Sequence, residues 1–254
     1  MNILLVGCGK MGGVLLKRWQ AQKICTGIEI VDPAAAKMKS ATDIPASFKP
    51  QVVVFAVKPQ ALTQTVQEYK HYTGALFLSI AAGKPLAFFE KHLGANAKIV
   101  RCMPNTPAAV GKGITVACAN KNVNGAERDQ ASKLMGAIGD VVWVEKESLL
   151  NPVTALSGSG PAYVFLLIET LTKAGIHIGL DPALAERLAR QTVIGSAALA
   201  EADTSPAAQL RQNVTSPGGT TEAALKTLMA HPGIQELFDR ALKAASQRAE
   251  ELSI

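Results

Sequence analysis

Six residues near the front of the chain, Gly7-Cys8-Gly9-Lys10-Met11-Gly12, constrain what the rest can fold into. They spell G-x-G-x-x-G at the exit of a short apolar run with β propensity, Ile3-Leu4-Leu5-Val6. Beyond them Met11, Val14, Leu15 and Trp19 share one face at three- and four-residue spacing, which predicts a helix. In a strand–turn–helix unit each glycine has a mechanical task. Gly7 makes the tight turn, Gly9 lets the backbone approach a pyrophosphate, and Gly12 lets helix and strand pack closely. The helix start adds free N–H groups and a positive dipole end. The next apolar strand closes on Asp32, about 20 residues on, where an acid reads a ribose in dinucleotide folds.

Downstream, apolar runs alternate with amphipathic stretches through about residue 146. Strands are expected at 2–6, 27–31, 51–57, 75–81, 98–103, 114–119 and 141–145, with helices at 60–70, 86–93 and 126–138, the last capped by Asn124. This alternation predicts a doubly wound parallel sheet with right-handed crossovers, covered on both faces as the apolar runs 52–57 and 76–80 require. The pattern changes near residue 147. From there helices alone are expected, at 161–178, from Asp181-Pro182 to about 202, from Ser205-Pro206 to 214, at 221–229 and after His231-Pro232. The fold class is therefore α/β: a Rossmann-type dinucleotide-binding domain over 1–148, then an all-α domain over 149–254. Residues 161–168 are apolar nearly all round, more than a lone helical unit of this size can bury, so a homodimer built through this domain is expected.

Composition narrows the function classes. Hydrophobic residues at 48% with 18% charged residues describe a packed globule, not a disordered chain. The longest apolar runs, such as 75–82, are too short to span a bilayer, and the N-terminal stretch runs into the glycine turn without a signal-peptide pattern. A cytoplasmic enzyme without membrane contact is the expectation. Cys8, Cys25, Cys102 and Cys118 form no C-x-x-C pair, so neither a disulfide framework nor a metal site is expected. The formal charge of +6 is spread without a basic block, which argues against nucleic acid. A phosphate-rich cofactor and an anionic substrate account for it.

Ligands of a doubly wound sheet bind past the carboxyl ends of its strands. After the third strand comes Ala56-Val57-Lys58-Pro59-Gln60, where Lys58 can reach cofactor phosphate or ribose. After the fourth comes Ala81-Ala82-Gly83, small enough to let a ring approach the backbone. After the fifth, Arg101-Cys102-Met103-Pro104-Asn105-Thr106-Pro107 fixes an irregular loop on the nicotinamide side, with Asn105 as a cofactor candidate. The second domain supplies Ser157-Gly158-Ser159-Gly160-Pro161 and the stretch 213–221. In the latter, Ser216-Pro217-Gly218-Gly219-Thr220 offers successive backbone N–H groups at a helix start, a cradle for a carboxylate.

Four of these segments, 56–60, 101–107, 155–163 and 214–221, resemble the signatures of the pyrroline-5-carboxylate reductase family, in that family's order. The resemblance runs from the glycine turn almost to the C-terminus. It implies reduction of 1-pyrroline-5-carboxylate to L-proline with NAD(P)H, the closing step of proline biosynthesis. It also implies a helical domain interlocked in a homodimer, with a decamer as the larger assembly. Carried over residue by residue, cofactor contacts fall on Val6, Gly7, Cys8, Gly9, Lys10, Met11, Ala56, Val57, Lys58, Pro59, Ser79, Ile80, Ala81 and Asn213. Substrate contacts fall on Val214, Ser216, Gly219, Thr220 and Thr221.

The chemistry suits these residues. Reducing a ketone needs a proton donor, yet none of His71, His92, His177 and His231 lies on a motif. A cyclic imine can bind already protonated, so hydride addition yields a neutral amine and no strong acid is required. Thr221 is the catalytic candidate, its hydroxyl orienting the ring nitrogen; Tyr163 and Lys173 are rival donors in helical context. Where many members of that family carry Ser, Thr, Asn or Arg after the second strand, this chain has Asp32, which favours NADH over a cofactor with a 2′-phosphate. Lys37 and Lys39, expected one to two helical turns on, can screen that effect. The alternatives are a related imine or 3-hydroxyacid oxidoreductase and a dinucleotide sensor without turnover. The catalytic lysine of the 3-hydroxyacid enzymes is missing from 158–165, and a sensor has no use for the cradle at 216–221.

Overall fold

The computed structural model describes residues 1–34 and 38–253. β1 (Asn2–Val6) leads through the glycine turn into α1 (Lys10–Ala21) and β2 (Gly27–Val31). β3 (Val52–Phe55), α2 (Pro59–Thr65), β4 (Leu76–Ser79), α3 (Leu86–Leu93) and β5 (Lys98–Met103) continue the alternation. β6 (Gly113–Ala119), α4 (Gly125–Gly136) and β7 (Gly139–Trp143) complete one sheet in the order β2-β1-β3-β4-β5-β6-β7. Alternate residues of each strand feed opposite faces. Ile3, Leu5, Val52 and Val54 join the core under α1 and α4, while Leu4, Val6, Val53 and Phe55 join the one containing Phe77 and Phe89. On the first face the buried Trp19 indole N–H donates to the Leu134 carbonyl at 2.8 Å, tying α1 to α4. Asn124 caps α4 in a reciprocal capping box with Glu127, as its spacing predicts.

Three expectations are corrected. The sheet is mixed: β1 to β5 run parallel, but β6 pairs antiparallel with β5, and β7 runs parallel to β6. The reason is the short link between Met103 and Gly113, since a parallel return needs about a dozen residues or more. β7 begins at Gly139, earlier than expected, because it faces Gly113 so closely that a Cβ there would stand 1.8 Å from the Gly113 carbonyl oxygen. Between β2 and β3 the described residues form no α-helix: Val31 bridges to Met38, and a single turn, Ala41–Asp43, follows. Lys39 therefore rides on no helix, its N–H held by Asp43 Oδ2 at 2.7 Å; Lys37 lies outside the described residues.

The chain divides into two compact units, the first made of Met1–Ser159 with the chain from Ala245 onward, the second of Gly160–Ala244. The division falls after residue 159 rather than at 148/149. α5 (Leu150–Val153) and the π-helical turn Thr154–Gly158 stay with the sheet, because Leu150 packs with Val116 and Cys118 and Ala155 is buried. The rest is helical: α6 (Gly160–His177), α7 (Pro182–Ala202), α8 (Ala207–Asn213), α9 (Thr220–Leu228) and α10 (Ile234–Glu251), whose last turns rejoin the first unit. Asp181 caps α7 by accepting from the Ala183 and Leu184 N–H groups, as expected. Ser205 does not cap α8; its own N–H donates to Asp203, and Pro206 holds the cap position.

Among the described residues of α6 to α10, the fully buried apolar side chains are the small ones of Ala185 and Ala189. Phe165, Leu166, Ile194 and Leu199 are each more than half exposed. No helix among the described residues is long and apolar enough to cross a membrane. Such a surface is the mark of a protein interface.

Candidate active site

Strand register builds the first half of the site. Val31, Val6, Phe55, Ser79 and Arg101 stand in one row across β2, β1, β3, β4 and β5. The residues next along each strand, Asp32, Gly7, Ala56 and Ile80, therefore leave the sheet side by side. Gly7 turns with φ +93°, a conformation open to glycine, and a Cβ on it would lie 2.8 Å from the Ala56 backbone. A Cβ on Gly12 would lie 2.4 Å from the Gly7 carbonyl oxygen. Gly9 differs: nothing lies within 4 Å of where its Cβ would be. Gly9 is also the N-cap of α1, with no side-chain cap and no acid in the first turn. The start of α1 thus keeps its positive end and N–H groups beside open space, the arrangement that receives a pyrophosphate.

Asp32 is fixed at the same turn. Its Oδ2 accepts the Cys8 N–H at 2.6 Å and its Oδ1 accepts the Ala34 N–H at 2.8 Å. Burial, and then the Asp32 charge, push the Cys8 thiol pKa up, so this cysteine stays protonated. Lys10 and Lys58 are exposed, Lys58 at the N-cap of α2 with Pro59 in its first turn. Met11, Ala56 and Ile80 pack against one face of the sheet and Val57 against the other.

Some of the expected contacts can act only through their backbone. Val6 and Ala81 are buried in the core, and so is Ser79, whose hydroxyl accepts the Ala81 N–H at 3.3 Å. Asn105 is engaged inside the protein. Its Oδ1 accepts the Ile114 N–H at 2.9 Å, and its Nδ2 donates to the Ser157 carbonyl at 3.2 Å. It joins the loop after β5 to the π-helical turn, so its side chain braces that loop.

A part-buried ion pair that no sequence motif marks stands beside this row. Arg101, on β5, donates to Glu147 Oε1 at 2.5 Å, and the same oxygen accepts the Leu86 N–H at 2.7 Å. One carboxylate thus ties together β5, the start of α3 and the turn after β7. An arginine inside an otherwise apolar strand signals that a partner exists. Nothing in the sequence selects Glu147 as that partner.

The second half, 213–221, lies wholly in the helical unit. The Asn213 side-chain oxygen accepts from Gln209 at 2.8 Å, and Val214 is exposed. The cradle is narrower than its sequence suggests. Gly219 N–H donates to the Ser216 carbonyl at 3.0 Å, and Gly218 N–H, at φ +72°, donates to Glu222 Oε2 at 2.6 Å. α9 has no side-chain cap, so Thr220 and Thr221 in its first turn carry the donors that remain. Thr221 is half-buried and Thr220 and Ser216 are exposed. The rival donors stand elsewhere: Tyr163 meets the Phe238 ring edge-on, and Lys173 is exposed. His71, His177 and His231 are exposed, and His92 meets the Phe88 ring edge-on.

A glycine turn, an acid closing the second strand and a row of open strand ends define a dinucleotide-binding oxidoreductase fold. Residues 147–252 match the family model described as pyrroline-5-carboxylate reductase dimerisation. The chain is 41% identical over 265 residues to the pyrroline-5-carboxylate reductase of Pseudomonas aeruginosa, covering 99% of this chain and 97% of that one. The structure is similar to that of a pyrroline-5-carboxylate reductase from Coxiella burnetii, with a TM-score of 0.92, 37% identity and coverage of 100% and 98%. It is also similar to the Plasmodium falciparum enzyme with NADP bound, with a TM-score of 0.85, 30% identity and the same coverage. The chain belongs to the pyrroline-5-carboxylate reductase family.

The glycines separate packing from binding. Gly12→Ala should destabilise the fold by about 2 kcal/mol or more, because α1 must shift off β1. Gly9→Ala should change stability by less than about 0.5 kcal/mol. Thermal melts of both variants check the pair, and equal losses would refute the assignment of the open space to Gly9 alone.

Proposed function

We infer that the strand-end row of the first unit holds NAD(P)H and that 214–221 hold the substrate, in an enzyme that reduces 1-pyrroline-5-carboxylate to L-proline. The observation that carries this reading is the uncapped start of α1 beside the open face of Gly9, with Asp32 fixed one strand away. The backbone from Gly7 to Gly12 is assigned to the pyrophosphate, and Asp32 to the adenosine ribose. The backbones of 56–59 and 79–81 are assigned to the nicotinamide side, since β3 and β4 lie across β1 from β2. When bound, the reduced nicotinamide supplies the hydride.

In the second unit, Thr220 and Thr221 N–H groups at the start of α9 receive the substrate carboxylate, with Ser216 beside them. The Thr221 hydroxyl hydrogen-bonds the ring nitrogen and fixes which face of the ring is presented. Because the iminium carries its proton in, the added hydride leaves a neutral amine and no side chain need surrender a proton. Asn213, Val214 and Gly219 shape the turn. Thr221→Ala is expected to lower kcat about 100-fold, near 3 kcal/mol, with little change in cofactor affinity. Steady-state kinetics on the folded variant check this; an unchanged kcat removes Thr221 from the mechanism.

Asp32 sets a preference for NADH. Its carboxylate is held against the glycine turn, where it accepts ribose hydroxyls but meets a 2′-phosphate with like charge. For a half-exposed group the clash is worth about 1–3 kcal/mol, or roughly 5- to 150-fold in kcat/KM. Asp32→Ser should narrow or reverse the ratio while leaving the KM for pyrroline-5-carboxylate nearly unchanged. Paired titrations of both cofactors on both proteins check it, and a wild type that favours NADPH would overturn it.

The helical unit is the dimer interface. Its exposed Phe165, Leu166, Ile194 and Leu199 call for an obligate contact above about 2,000 Å². Light scattering at low micromolar concentration should give a homodimer or a multiple of it such as a decamer; a folded monomer would sink this assignment. A cytoplasmic setting suits the four free cysteines, of which Cys102 is pushed up to about 12 by burial.

A further inference from the structure

Leu252 lies against the loop that follows β4. A Cβ on Gly83, whose φ is +79°, would stand 2.5 Å from the Leu252 carbonyl oxygen and 3.6 Å from the Leu252 Cβ. Leu252 also shares a cavity of about 340 Å³ with Pro59, Gln60 and Thr63 from the segment after β3, and with Ala82 and Lys84 from the loop after β4. The turn is itself anchored. Leu252 N–H donates to the Arg248 carbonyl at 3.1 Å. Ser253 Oγ bonds the Ala249 carbonyl at 2.7 Å and Asn151 Oδ1 at 3.3 Å. These contacts explain why the chain from Ala245 onward belongs with the sheet although α10 begins in the helical unit.

We propose that Leu252 and Ser253 are positioning residues for the cofactor, bracing the loop after β4 in the shape that receives the nicotinamide half. The inference rests on the cofactor assignment made above. With the pyrophosphate over the glycine turn and one ribose at Asp32, the remaining half of a dinucleotide lies over β3 and β4. There Leu252 lines the cavity between the segment after β3 and the loop after β4. Glycine at 83 is required twice over, by its left-handed φ and by the approach of the Leu252 carbonyl. More than half of the Leu252 side chain is exposed, so the contact contributes little to the core. Its effect is to pre-order a loop that would otherwise be ordered by the cofactor itself.

The test compares the full chain with one ending at Glu251, with Leu252→Asp and with Leu252→Met. Cofactor affinity is read by titration of reduced-nicotinamide fluorescence, and KM by steady-state kinetics for both substrates. The truncated chain and Leu252→Asp should weaken NADH binding about three- to tenfold, with the KM for pyrroline-5-carboxylate within about twofold and the melting temperature nearly unchanged. Leu252→Met should behave as wild type. Cofactor affinity that is unchanged, or that falls only together with stability, in either Leu252→Asp or the truncated chain, overturns the proposal. Gly9→Ala separates the two readings. If it leaves cofactor affinity intact, the cofactor assignment fails; if it abolishes binding while the Leu252 variants do nothing, the brace alone fails.

Discussion

Where β1 gives way to α1, the chain turns with no room for a Cβ at two positions, Gly12 against the Gly7 carbonyl and Gly7 against the Ala56 backbone and the Val57 side chain. That approach sets how close the helix lies to the sheet. It lets Trp19 reach through the core to the Leu134 carbonyl. It also brings the end of β2 to the turn, through the Gly7 N–H to Val31 carbonyl bond at 2.8 Å, so that Asp32 meets the Cys8 N–H. A bulkier residue at 7 or 12 would open the turn and separate these groups, and the edge would lose both its N–H donors and its acid.

Charge is placed sparingly at this edge. Asp32 is held by two backbone N–H groups, which fix its direction. The Arg101–Glu147 pair acts differently, since its Arg101 side chain is 9% exposed. Glu147 stays 28% exposed, and burying the Arg101 charge costs much of what the attraction returns, so the pair locates its elements more than it strengthens them. What it locates is the start of α3, hence the chain that follows β4.

The helical unit depends on contacts outside itself. Its own buried apolar side chains are alanines, while its larger ones stay in reach of water. Close helix contacts hold α6 to α7 without a core of large residues: a Cβ added to Gly175 would stand 3.3 Å from the Ala185 Cβ. A unit built this way gains its apolar burial by association, so its stability and that of the assembly are one quantity.

Local chemistry made much of this protein legible. The glycine turn, the five strand positions through β5, the Asn124 and Asp181 caps and the succession of helices from residue 160 follow from period and from residues with narrow conformational roles. The position of Asp32, just past β2 and beside the Cys8 N–H, is legible the same way, because strand end and spacing suffice to place it. Long-range pairing was not legible. The antiparallel turn to β6 depended on a loop too short for a crossover, and the course of the described residues after β2 on a bridge between Val31 and Met38. Glu147 and Leu252 meet the strand-end loops from 46 and 169 residues away in sequence (147 − 101 and 252 − 83). No periodicity spans such distances; only the packed fold, which brings remote backbone groups within hydrogen-bond range, decides which acid meets Arg101 and which turn closes on Gly83.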